Sequence, residues 1–141
     1  MKVYSDACEN AIRAVVYLAQ SPGQRHTVRD IADATHVSAG YLAKTLQKLA
    51  KARILAAHRG AQGGYALRRD PESLTLLDIV HAVEPPHQRN SCGMETQANR
   101  PCTCAAHRYI DETLAMLERR FAEVTIAQLT NDVIYKPGDA E

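Results

Sequence analysis

A mainly α fold, a winged helix-turn-helix with a two-stranded wing and a long C-terminal dimerisation helix, is predicted by three features of the 141-residue sequence. Two short helical segments, about 27–34 and 38–51, are joined by the turn Thr35-His36-Val37, and the second presents Lys44, Lys48 and Lys51 on one face. Two apolar strand-like stretches, 54–57 and 64–67, flank the glycine-bearing tip His58-Arg59-Gly60-Ala61-Gln62-Gly63. A late segment, about 106–123, spaces Ile110, Leu114, Leu117, Phe121 and Val124 by four, three, four and three, a heptad seam that asks for a partner helix.

Each element has a local reason. A first helix over about 5–20 sets Cys8, Ile12, Val15 and Ala19 at helical spacing, so Cys8 is expected in the core as a small hydrophobe. Ser21-Pro22-Gly23 ends that helix. Thr27 and Asp30 have capping-box spacing, with Asp where Glu or Gln is preferred. Ser38 stands where it can cap the next helix, whose Leu42, Thr45, Leu46 and Leu49 share a face. The wing tip is not a phosphate loop, because neither a Gly-Lys-Ser/Thr run nor a helix follows it. Thr75 and Asp78 open a further helix through about Val83, which Pro85-Pro86 stops. Residues 85–104 lack hydrophobic periodicity and carry Cys92, Cys102 and Cys104, and a loop of that length is usually functional or disordered. Thr125 opens a short terminal helix, and the tail from about 136 is expected to fray.

Composition narrows the partners. Hydrophobic content of 45% and charged content of 23% are ordinary for a soluble protein. No apolar run approaches the length of a membrane span, and the N-terminus lacks an apolar signal core, so a cytoplasmic protein without a membrane partner is expected. Residues 1–70 carry 11 Lys/Arg against five acids, whereas residues 71–141 carry six against 11. A basic half joined to an acidic half is expected where one half meets nucleic acid. The expected organisation is a DNA-binding domain at 1–84, a cysteine-bearing loop at 85–104, and dimerisation and terminal helices at 105–135.

The first turns of a helix that enters the major groove read bases, while amides and basic side chains hold phosphates. Here those residues are Ser38, Ala39, Gly40, Tyr41 and Lys44. Ala39 and Gly40 are small enough to permit close approach. Arg59, with Gly60 beside it at the wing tip, suits a narrow and strongly negative minor groove. Three cysteines and His107 form a second constellation, Cys-x9-Cys-x-Cys-x2-His. Zinc fingers use paired Cys-x2-4-Cys knuckles, and this spacing does not. The Cys-x-Cys pair is better accommodated by a cluster with two irons than by a single metal, although zinc and a thiol switch stay open on the residues alone. Neither a Cys-x-x-Cys nor a supported Ser/His/Asp arrangement is present, so an enzyme is not expected.

Taken together, these stretches resemble the IscR/NsrR-type iron–sulfur winged-helix transcriptional regulators over nearly the whole chain. The residues that carry the resemblance begin with Ala11-Ile12-Arg13-Ala14, Val37-Ser38 and Tyr41-Leu42. They continue with Arg59-Gly60, Gly63-Gly64-Tyr65, Cys92, Cys104, His107 and Val124-Thr125-Ile126. The resemblance implies a homodimeric repressor whose long helices cross at the interface and whose two winged domains read half-sites of a double-stranded operator. It also implies an iron–sulfur cluster beside the interface, with ligands at Cys92, Cys104 and His107. Cys102 departs from the family pattern, in which the middle cysteine lies near the centre of the loop. In NsrR-like relatives an acidic residue of the partner chain completes the cluster, which makes the partner's Glu9 a rival of His107. Imidazole ligation favours [2Fe–2S] over [4Fe–4S] in this reading. Ala43 stands where some relatives carry an acid that restricts operator choice. The alternative is a thiol-redox or zinc-dependent regulator of the same fold, or further off a thiol redox enzyme.

Overall fold

The computed structural model describes residues 3–84 and 105–132. Its elements run α1 (Asp6–Ala19), α2 (Val28–Thr35), α3 (Ala39–Lys51), β1 (Leu55–His58), β2 (Gly64–Leu67), α4 (Leu76–Val83), α5 (Ala105–Glu123) and α6 (Ile126–Asp132). The architecture is the winged helix-turn-helix that the sequence predicts. The cysteine loop and the tail beyond 132 lie outside the described residues.

Helix α1 is the hub. The Ser5 hydroxyl caps it by accepting from the Cys8 amide at 3.3 Å. Its inner face, Cys8, Ala11, Ala14, Val15 and Leu18, is fully buried, and α1 touches α2, α3, α4, α6 and β2. The alanines let these neighbours approach the α1 backbone closely, as tight packing of several elements on one helix requires.

Helix α2 opens on a complete capping box. Thr27 Oγ1 accepts from the Asp30 amide at 3.1 Å, and Asp30 Oδ2 accepts from the Thr27 amide at 3.0 Å. The Thr27 amide first, and then the Thr27 hydroxyl, hold the Asp30 carboxyl below its ordinary range. His36 ends α2 in the left-handed conformation, φ 57°. Ser38 occupies the N-cap position of α3, but its side chain makes no capping hydrogen bond, contrary to the role its position predicts. Leu42, Thr45, Leu46 and Leu49 are buried.

The wing pairs Leu55 with Leu67 and His58 with Gly64 in antiparallel register. Ile54 falls just before β1, although its carbonyl accepts from the Arg68 amide at 3.0 Å. A third strand position, which no sequence pattern predicts, adds to the wing at His26. Its amide donates to Tyr65 O at 2.9 Å, and its carbonyl accepts from Tyr65 N at 2.8 Å. Gly64 makes this possible: its φ is +146°, and a Cβ there would collide with the His26 carbonyl.

A second capping box, Thr75 with Asp78, opens α4. Immediately beside it the junction of α5 and α6 is stitched to the chain before α4. Leu76 N donates to Val124 O at 2.9 Å, and Ile126 N donates to Leu74 O at 2.8 Å. Ile126 is fully buried between these bonds and α1.

Helix α5 has no buried residue within the single chain. Leu114, Leu117 and Phe121 are half-buried and share a small apolar cleft with Tyr4, Leu77 and Val80, and the Phe121 ring meets Tyr4 edge-on at 6.1 Å. Val124 is half-buried at the stitched junction. Ile110 is 55% exposed, and Tyr109 and Met116 are each 63% exposed. The heptad seam is thus divided: its C-terminal part packs on α4 of its own chain, and its N-terminal part does not.

Candidate nucleic-acid interface and sensor residues

Ser38, Ala39, Gly40, Tyr41 and Lys44 are all exposed along the first turns of α3. Tyr41 is 45% exposed and does not pack into the core. Gly40 has no folding reason in this structure, since a Cβ built there meets nothing within 4 Å. A glycine in a helix interior costs roughly 0.5–1 kcal/mol against alanine, an upper bound for Gly40, which stands second in α3. The opposite face, Leu42, Thr45, Leu46 and Leu49, anchors this exposed one to the core.

The wing carries Arg59 and Gly60, both exposed, at its tip. The tip is closed by a hydrogen bond from Gly63 N to Gly60 O at 2.9 Å. Gly60 has a φ of +101°, open to glycine at little strain. Beside α3, a polar cleft is lined by Glu9, Asn10, Arg13, His36, Ser38 and Tyr41 among others. In it Glu9 is ion-paired with Arg13, four residues on in α1.

His107 lies in the first turn of α5. Its Nδ1 is buried and has no hydrogen-bond partner among the described residues. A buried polar nitrogen without a partner costs on the order of 1–3 kcal/mol unless something satisfies it. Cys92, Cys102 and Cys104 lie outside the described residues, and among the described residues no group of three or more His, Cys, Asp or Glu side chains could hold a metal. Cys8 is fully buried, and burial, with the Glu84 charge second, pushes its thiol up to about 12. It is a core residue, as its helical position predicts.

Two short helices carrying an exposed small-residue face, a glycine-closed wing and a long appended helix define the class of winged-helix transcription factors. Residues 4–132 match the Rrf2 family, described as an iron-dependent transcriptional regulator. The chain belongs to the Rrf2 family of helix-turn-helix transcriptional regulators. An HTH-type transcriptional regulator of Aquifex aeolicus is 25% identical over 134 residues, 92% of each chain. Among solved structures, IscR of T. potens superposes with a TM-score of 0.75 at 25% identity, covering 94% of this chain and 88% of that one. CymR, the global cysteine regulator of B. subtilis, shares the fold with a TM-score of 0.70 at 22% identity, covering 95% of this chain and all of that one. Among the described residues no helix is long and apolar enough to cross a membrane.

Proposed function

We propose that this chain is a homodimeric, operator-binding repressor whose DNA affinity is set by an iron–sulfur cluster, [2Fe–2S] in preference to [4Fe–4S]. Ser38, Ala39, Gly40, Tyr41 and Lys44 read one major-groove half-site, and Arg59 with Gly60 enters the adjacent minor groove. Cys92, Cys102, Cys104 and His107 hold the cluster, whose bound form supplies a redox- and iron-sensitive charge beside the dimer interface. The observation that carries the cluster reading is the buried Nδ1 of His107, unpartnered among the described residues and three residues after Cys104. A ligand nitrogen is left free of protein hydrogen bonds in this way. Glu9 is the weaker rival, because Arg13 already takes its carboxylate.

The exposed end of the α5 seam, Ile110 with Tyr109 and Met116, supports a second copy as partner, since these large apolar side chains are otherwise left in water. Residues 1–84 then act as the DNA-binding domain, 85–104 as the cluster loop and 105–135 as the dimerisation segment.

Anaerobic purification tests the cluster. The protein is expected to be coloured, with sulfide-to-iron charge-transfer bands, and His107→Ala is expected to alter those bands and lower iron content where Glu9→Ala does not. Loss only in Glu9→Ala transfers the fourth ligand to the partner's Glu9. Unchanged bands in Cys92→Ala and Cys104→Ala would refute the site. Colourless protein holding one zinc per chain, or none, favours the zinc or thiol regulator instead. In parallel, Arg59→Ala is expected to weaken operator binding by roughly 1–3 kcal/mol, while Glu112→Ala on the acidic half changes it little.

A further inference from the structure

A cleft between the start of α2 and the wing tip is lined by Arg25, Thr27, Ala61, Gln62 and Gly63. Its walls are rigid. One is tied to the wing by the paired hydrogen bonds of His26 with Tyr65. The His26 ring is further held between the Tyr17 hydroxyl, 3.2 Å from Nδ1, and the Ser21 hydroxyl, 2.9 Å from Nε2. The other wall is the wing tip, closed so tightly that a Cβ on Gly63 would lie 2.5 Å from the His58 carbonyl oxygen. Arg25 projects from this braced backbone, yet it is exposed and has no carboxylate partner among the described residues. The Asp30 carboxylate nearby is already engaged by the Thr27 amide. Side-chain entropy is usually lost when an arginine grips a ligand. Here the backbone at least is fixed beforehand.

A winged domain with its recognition helix in the major groove and its wing in the neighbouring minor groove straddles the sugar–phosphate strand between them. The cleft lies between the wing tip and the helix-turn-helix, and so over that strand. The geometry points to Arg25 as a sequence-independent anchor for one DNA phosphate per protomer, seated in the cleft beside Gln62. The inference rests on the DNA-contacting reading of α3 and the wing. It adds a residue that carries register and affinity but no sequence information.

The test measures equilibrium binding to two mixed-sequence duplexes, each long enough for both half-sites, across a range of salt concentrations. Arg25→Ala is expected to lower the slope of log affinity against log salt by about 0.9 per protomer, the increment for one phosphate contact. The fractional loss should be the same on both duplexes. Arg25→Lys is expected to keep the slope, because a phosphate accepts a point charge. Arg120→Ala, in α5 and paired with Glu123, should leave it unchanged. An unaltered slope in Arg25→Ala, an equal drop in Arg120→Ala, or a loss confined to one duplex would each overturn the inference while sparing the DNA-binding reading. If the parent protein shows no salt-dependent binding to either duplex, that broader reading fails and the inference falls with it.

Discussion

Single residues separate what folding demands from what binding demands. Gly40 is the clearest case, because open space surrounds its missing Cβ. Gly40→Ala is therefore expected to raise the stability of the free protein, by at most the roughly 0.5–1 kcal/mol of a helix interior, and to weaken operator binding by crowding the groove. A melting temperature and a binding isotherm on the same variant check both signs, and a stabilised protein that binds as before would remove Gly40 from the interface. Cys8 makes the opposite demand. Its thiol is pushed from 9.0 to about 12 by burial, so the folded chain keeps a proton that the unfolded chain sheds in that window. Unfolding then releases a proton, and stability falls as pH rises above 9.0. Below that pH the contribution is fully present. Cys8→Ala is expected to flatten the alkaline limb of the stability curve measured by denaturant titration. An identical limb in both proteins would show that Cys8 does not titrate there.

At the scale of elements, local signals are legible in the sequence and non-local ones are not. Thr-x-x-Asp is read within one turn, and both boxes, at Thr27 and Thr75, form with all their hydrogen bonds. The buried face of α3 follows from period alone. The strand position at His26 does not, because one bridge has no periodicity to reveal it, and its cause lies 38 positions away at Gly64. Ser38 marks a different limit: spacing puts it at the N-cap but says nothing of its rotamer, and the hydroxyl caps nothing. The α5 seam is ambiguous for a physical reason, since heptad spacing is the same whether the partner is α4 or another chain. The division along its length directs the test of assembly. Leu117 lines the cleft against α4, so charging it would damage the fold as well as any dimer. Met116, at 63% exposed, is the cleaner probe. Met116→Asp is expected to leave helix content and monomer stability nearly unchanged, and to shift sedimentation from dimer to monomer, because a carboxylate in an apolar interface is costly. A full-strength dimer in that variant would exclude this face.

Across the whole molecule, the charge division, the order of elements and the residues that the wing and α3 expose are all legible in the sequence. The proposed sensor site is legible only as composition, Cys92, Cys102, Cys104 and His107, because spacing does not encode which side chains meet in space. Helix α5 carries His107 and so would link the proposed site to the rest of the fold. It is stitched at its C-terminal end by the Leu76–Val124 and Ile126–Leu74 hydrogen bonds, while His107 sits at its other end, about 24 Å away at 1.5 Å rise per residue. Mechanically it is a cantilever, clamped at the root and, under the proposed function, loaded at the tip. A sideways push of a fraction of an ångström at the loaded end arrives at the clamp as torque, where the bearing surface is α4. The opposite end of α4 is touched by the Lys48 ammonium of α3, 3.4 Å from the Val83 carbonyl. The lever therefore ends one helix away from the exposed face of α3, the one proposed to meet the groove.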